Sequence, residues 1–143
     1  MSTEIERTFV FLKPEAIKRG LMGEILSRIE RKGLKITAMK LIKMSRSQAE
    51  KLYEMHKGKE FFENLVEHVS SSPVLVMVIE GSKAITVMRK MIGKTNPIEA
   101  NPGTIRGDYA LNVRENIIHA ADSKENAERE IQIFFKEEEI LEY

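Results

Sequence analysis

The chain has 143 residues, 42% of them hydrophobic and 31% charged, with 23 basic and 22 acidic side chains for a net charge of +1. That length suits a single domain, 1–143, with a core that needs no staples, and so even a balance calls for neither nucleic acid nor an anionic membrane as partner. The absence of cysteine excludes disulfide frameworks, thiolate metal sites and cysteine nucleophiles, and fits a reducing, cytoplasmic setting. The start, Met1 to Arg7, lacks the apolar stretch of a secretory signal. The longest apolar run, Val74 to Ile79, is too short to span a bilayer.

Thr8-Phe9-Val10-Phe11-Leu12 predicts a buried strand ended by Pro14. Leu21, Ile25 and Ile29, with Met22 and Leu26, predict a helix that Gly33 stops. Leu34 to Lys43 reads as a strand in which Leu34, Ile36 and Ala38 share one face. Met39 and Leu41 then fall in the other phase, which a bulge near Ala38 would explain. Ser45 or Ser47 caps a helix with Ala49, Leu52, Tyr53 and His56 on one face. After Gly58, Phe62, Leu65, Val66 and Val69 form another helical stripe. Pro73 opens the unbroken apolar run Val74–Ile79, the pattern of a central strand buried on both faces. Ala84, Val87, Met88 and Met91 make the next helix, closed by Gly93.

From Lys94 to Glu115 periodicity is lost among Pro97, Pro102, Gly103 and Gly107. So long an irregular segment points to function, and it carries Thr95, Arg106 and Asp108. Asn116 to Ala120 is a short last strand. Asp122 or Ser123 then caps a helix with Ala127, Ile131 and Phe134 inward, and Asp122 with Glu125 resembles a capping box. The run Glu137–Glu139 reads as a solvated turn. Two strand–helix–strand units in this order predict an α/β (α+β) fold, a ferredoxin-like sandwich with a four-stranded antiparallel sheet covered by helices.

The usual phosphate loops are absent. Gly93-Lys94-Thr95 imitates the tail of a P-loop, but Met88 stands where its first glycine is needed, and neither G-x-G-x-x-G nor protein-kinase motifs occur. Phosphate handling would therefore rest on side chains from scattered elements. His119 draws notice: it ends a strand beside small Ala120 and Ala121, and neutral imidazole is a good nucleophile near neutral pH. Glu130 on the following helix is placed to bind one ring nitrogen and leave the other free. On spacing alone, a strand-end histidine that packs or faces water is the commoner case. His56 reads as a packing histidine and His68, off its helix stripe, as solvated. Lys13, Arg89 and Arg106 are each unremarkable singly and carry weight only together.

Together they follow a family pattern. Asn116-Ile117-Ile118-His119-Ala120-Ala121-Asp122-Ser123 resembles the active-site signature of nucleoside diphosphate kinases, Asn-x-x-His-[Gly/Ala]-Ser-Asp. Arg7 to Pro14, Arg19 to Ile25, Tyr53, Phe61-Phe62, Gly93, Thr95-Asn96-Pro97 and Pro102 to Asp108 follow in the family's order, so the resemblance spans nearly the whole chain.

The resemblance implies a phosphotransferase. His119 would take the γ-phosphate of a nucleoside triphosphate, mainly ATP, and pass it to a nucleoside diphosphate by a ping-pong route. Arg89, Thr95 and Arg106 would hold phosphates, and Lys13 and Asn116 would contact the sugar hydroxyls and the transferring group. Tyr53 would lie near the histidine, Glu130 would orient it, and Phe61 would stack on the base with broad tolerance. Mg2+ would be held mainly by the nucleotide phosphates, with no protein metal cage. A homo-oligomer is implied, a hexamer before a tetramer, although the chain lacks the longer tail of many relatives.

Two departures carry expectations. Ala121 replaces the family's usual Ser, whose hydroxyl would help hold Glu130, so turnover is expected to be reduced. Glu60 stands where Pro is frequent, which would loosen the loop under the base and weaken binding. The rival readings are a catalytically weakened nucleotide-binding regulatory protein, suggested by Ala121, and a ferredoxin-like nucleic-acid module, suggested by Phe9 and Phe11 alternating on one strand.

Overall fold

The computed structural model describes residues 4–143. Met1–Thr3, the first part of the segment read as no secretory signal, lie outside the described residues. Strand β1, Ile5–Leu12, runs into helix α1, Pro14–Lys18, and then α2, Met22–Arg31. Strand β2, Lys35–Ile42, is followed by α3, Arg46–Leu52, a 3-10 turn at Glu54–His56, and α4, Phe62–Ser70. Next come β3, Val74–Ser82, α5, Ala84–Ile92, a 3-10 turn at Pro97–Glu99, and α6, Ile105–Tyr109. Strand β4, Ile118–Ala120, α7, Lys124–Phe134, and a 3-10 turn at Glu137–Glu139 complete the order.

The four strands form one sheet, β2-β3-β1-β4, with every neighbouring pair antiparallel. This is the ferredoxin-like arrangement predicted: β1 and β2 connect through α2 yet are separated by β3. Alternating side chains of the central strands feed opposite cores. Val10, Leu12, Leu75, Met77 and Ile79 pack with Ile25 and Ile29 of α2 and Met88 and Ile92 of α5. Phe9, Phe11, Val74, Val76 and Val78 pack with α3, α4 and α7. Burial on both faces is why these strands read as unbroken apolar runs. It also removes the support for a nucleic-acid module, since Phe9 and Phe11 are fully buried.

Some local expectations hold and others change. Pro14 ends β1 but also opens α1, because proline suits the first turn of a helix. The bulge falls between Ile36 and Ala38, and it sends Ala38 to the opposite core from Ile36. Met39 and Leu41, on the strand at the sheet's edge, are 55% and 57% exposed. Helix α3 is capped by Ser45 in a box with Gln48. Helix α7 is capped by Ser123, whose side chain accepts from the amide of Asn126, while Asp122 bonds the Asn126 side chain, so no Asp122–Glu125 box forms. The Lys94–Glu115 stretch is less irregular than its composition suggests. Asn96 caps its 3-10 turn, and Thr104 caps α6 by accepting from the amide of Gly107. The terminal glutamates are tied down, Glu137 to Arg7 at 2.7 Å and Glu139 to Lys40 at 2.7 Å.

Candidate active site

Pairing of β4 with β1 sets His119 opposite Phe11. The imidazole lies against Phe11 and Phe9, with ring centres 5.3 and 6.3 Å away. Helix α7 turns Glu130 inward beside Ile131, leaving it 2% exposed. Its Oε1 lies 2.8 Å from Nε2 of His119. A carboxylate can only accept, so Nε2 carries the proton, and in the neutral ring the lone pair lies on Nδ1.

Below the histidine the floor is cross-braced. Arg106 of α6 is buried and donates from Nε to the Asn116 carbonyl at 3.3 Å, from Nη1 to that of Gly93 at 3.1 Å and from Nη2 to that of Ile118 at 2.6 Å. Gly93 meets this demand through a φ of +86°, with Thr104 packed where a Cβ would stand. Lys13, 7% exposed, donates to Asn116 Oδ1 at 2.7 Å, and Asn116 Nδ2 donates to the Thr95 carbonyl at 3.2 Å. Burial, helped by the charge of Arg106, lowers the Lys13 pKa to about 8. Burial and nearby Arg89 lower that of Arg106 to about 10. The site thus concentrates positive charge on Lys13, Arg89 and Arg106.

Between Asn116 and His119 the chain is strained. Ile117 has a φ of +79°, a rare conformation for a β-branched residue. It is held from both sides. Its amide donates to Glu15 Oε2 at 3.0 Å, and its carbonyl accepts from the Lys13 amide at 2.9 Å. The other oxygen of Glu15 meets His68 Nε2 at 2.7 Å. Burial acts to raise the Glu15 pKa, but its bonds to His68 and Ile117 outweigh this and lower it. The kink explains why β4 begins at Ile118, two residues later than predicted. It also corrects the reading of His68, which is bonded and faces the cleft.

Above this floor opens a cleft of about 1030 Å³. It is lined by Lys13, Tyr53, Phe61, Arg89, Thr95, Arg106, Asn116, His119 and Glu130, all singled out from the sequence, whereas Asp108 lies outside it and pairs with Arg28 at 2.8 Å. Arg89 of α5 donates to the Ala120 carbonyl at 3.1 Å. Burial, with the charges of Glu130 and Glu15, pushes the Tyr53 hydroxyl well above its ordinary pKa, so it stays neutral. His56 sits on its own 3-10 turn past the end of α3, beside Phe61, with ring centres 5.2 Å apart. Burial and Lys59 lower the His56 pKa. Phe61 is 47% exposed at the mouth, and Val113, also half-exposed, lines the cleft too.

Sequence reasoning missed Glu15, His68 and Val113. Glu15, directly after the Lys13-Pro14 pair, carried a signal of position only. The partners of Glu15 lie 53 and 102 residues away, and no spacing rule reports such distant pairs. Among the described residues, no group of three or more His, Cys, Asp or Glu side chains is placed to hold a metal. The carboxylates lining the cleft are Glu115, Asp122 and Glu130, and the last is committed to His119.

A deep cationic floor, a wide mouth and a poised imidazole define a protein that handles phosphorylated ligands. The family model for nucleoside diphosphate kinase matches residues 6–140. The nucleoside diphosphate kinase of Methanocaldococcus jannaschii is 64% identical over 136 residues, covering 95% of this chain and 97% of that protein. That of Pyrococcus furiosus is 59% identical, covering 98% and 89%. Among solved structures, the Halobacterium salinarum nucleoside diphosphate kinase in complex with CDP superposes with a TM-score of 0.94 at 41% identity, covering 98% of this chain and 93% of that one. The Borrelia burgdorferi enzyme, a transition-state mimic with bound vanadate and ADP, gives 0.93 at 38% identity, covering 99% and 94%. The chain belongs to the nucleoside diphosphate kinase family.

Proposed function

We propose that this chain moves the γ-phosphate of a nucleoside triphosphate, mainly ATP, onto nucleoside diphosphates through phosphorylated His119. The activity class follows from the family: a phosphotransferase acting on nucleotides. The observation that carries the route is the imidazole with Nε2 bonded to Glu130 at 2.8 Å and its other nitrogen without a hydrogen bond among the described residues. The Nδ1 lone pair attacks the γ-phosphorus, and the bond from phosphorus to the bridging oxygen breaks. Its electrons leave with the first diphosphate. A terminal oxygen of a second diphosphate then attacks phosphorus, and the P–N bond returns its pair to Nδ1.

The remaining residues position and neutralise. Three of the five N–H groups of Arg106 are used on carbonyls, which leaves two for phosphate oxygens. Arg89 and Thr95 act beside it. Lys13 and Asn116 contact the sugar hydroxyls and the transferring group, Tyr53 stands by the histidine, and Phe61 stacks on the base. Stacking contributes ~1–3 kcal/mol whichever base is bound, consistent with broad tolerance. The family works with a divalent cation. We assign magnesium, brought in mainly on the nucleotide phosphates, where it would neutralise charge between them. The CDP and ADP bound by the Halobacterium and Borrelia relatives support nucleotides as ligands.

As part of the same reading, the chain is one domain acting in the cytoplasm as a homo-oligomer, a hexamer before a tetramer. No helix among the described residues is long and apolar enough to cross a membrane. Exposed Met39 and Leu41 on the free edge of β2 are surface that a second copy would cover. Initial rates with ATP and GDP varied together test the route: parallel reciprocal plots are expected, and intersecting ones would refute a phosphorylated intermediate.

A further inference from the structure

Oε1 of Glu130 is bonded to His119, and a carboxylate held by one oxygen still swings about that contact. Its other oxygen, Oε2, has one polar partner among the described residues, Nη2 of Arg129 at 3.5 Å. Ala121, where the family usually has Ser, brings only a methyl and packs with Ile85 and Ala127. Arg129 is itself anchored. Its Nη1 donates to the Lys51 carbonyl at 2.8 Å, its Nη2 to that of Leu52 at 3.4 Å and its Nε to Asn126 Oδ1 at 3.4 Å. Lys51 and Leu52 end α3, where a cation also meets the negative end of the helix dipole. The next residue, Tyr53, lines the cleft.

We propose that Arg129 is a positioning residue for phosphoryl transfer: it fixes the second oxygen of Glu130 against the end of α3, so that the His119 ring keeps one tautomer and one orientation. The inference rests on the reading of His119 as the nucleophile. At 3.5 Å the contact acts mainly as charge attraction, with the guanidinium held in place by the carbonyls it caps. Its planar fork reaches α3 and Glu130 at once, which the single ammonium of a lysine cannot do. Outer partners that orient metal-bound histidines are typically worth about 10- to 100-fold in activity, and the chain from Arg129 through Glu130 to His119 is analogous. Because this cation is partly exposed, a loss near tenfold is expected.

The test pairs a spectroscopic measurement with kinetics. In the wild type, side-chain 15N NMR should show His119 with the proton on Nε2 alone. In Arg129→Gln the signals should move toward a mixture of tautomers, with Arg129→Lys between the two. Unchanged His119 signals in Arg129→Gln would overturn the inference whatever the activity. In kinetics, Arg129→Gln should lower kcat about tenfold and move nucleotide KM less than about twofold. In a Glu130→Gln background the same change should have almost no further effect, because the two act as one unit. A Glu130-independent loss, or a rise in KM alone, would mean that Arg129 merely caps α3. A wild type that transfers no phosphate would instead refute the reading of the site, while the NMR comparison would still decide the role of Arg129.

Discussion

At the floor of the cleft Lys13, Arg106 and Asn116 are buried and bonded to one another's elements, with one link as short as 2.6 Å. At the mouth Phe61 is 47% exposed and Val113 51% exposed. Beside Phe61, the contact from Lys59 to His56 spans 3.3 Å. In the proposed reading the floor meets the groups that every nucleotide shares, phosphates and reacting atoms, where small errors of placement are costly. The mouth would meet the base, which differs between substrates. A surface that offers a flat ring and few fixed donors cannot reject one base strongly in favour of another. Rigidity and tolerance are thus divided along the depth of one cleft.

This contrast can be broken at the floor first. Arg106→Met removes charge-assisted hydrogen bonds to three carbonyls, two of them buried, and should cost about 3–5 kcal/mol in urea denaturation. A loss under 1 kcal/mol would show that the brace is not structural. Glu15→Ala leaves the Ile117 amide buried without an acceptor beside a strained backbone. About 2–3 kcal/mol and a clear fall in kcat are expected. Glu15→Gln, able to keep both bonds, should lose far less, and equal losses would remove the bonds from the explanation.

Phe61→Ala should raise KM by about tenfold, equally for ATP and GTP, and leave kcat unchanged. An effect confined to one base would contradict the tolerant mouth. The pH dependence separates the regions further. Lys13, with its pKa lowered to about 8, is charged below that value. In the free enzyme kcat/KM should therefore fall as pH rises through about 8. Folding runs the other way: the fold favours the neutral amine, so the Lys13 contribution to stability increases from about 8 to the ordinary 10.5. Lys13→Gln should flatten both trends, measured by kcat/KM and by denaturation at each pH. The smallest effect is expected from Ala121→Ser. A hydroxyl beside Glu130 should raise kcat a few-fold, and unchanged kinetics would mean that Ala121 does not reduce turnover.

Where the fold was legible, the cause was local. Val74–Ile79 announces a strand buried on both faces, and Phe62, Val66 and Val69 mark the buried face of α4. His119 and Glu130 sit 11 residues apart across one turn and one helix, within reach of spacing arguments. The family pattern placed Arg106 in the cleft but not its brace, since carbonyls of β4 and of the end of α5 come together only through the sheet. Glu15, His68 and Ile117 form a contact among three distant elements, and the positive φ of Ile117 defies its own propensity. Such a strained position is sustained by its surroundings, so it leaves little trace in local pattern. The exposure of Met39 and Leu41 was not legible for a related reason: alternation sets their phase, but exposure depends on β2 lying at the edge.

The account turns on His119 as the carrier of the phosphate. The most direct measurement is incubation with γ-labelled ATP and magnesium, comparing wild type with His119→Ala, followed by a chase with GDP. Acid-labile label should appear on the wild type alone and pass to GDP. Label retained by His119→Ala, or GTP formed without a labelled protein, would contradict the account.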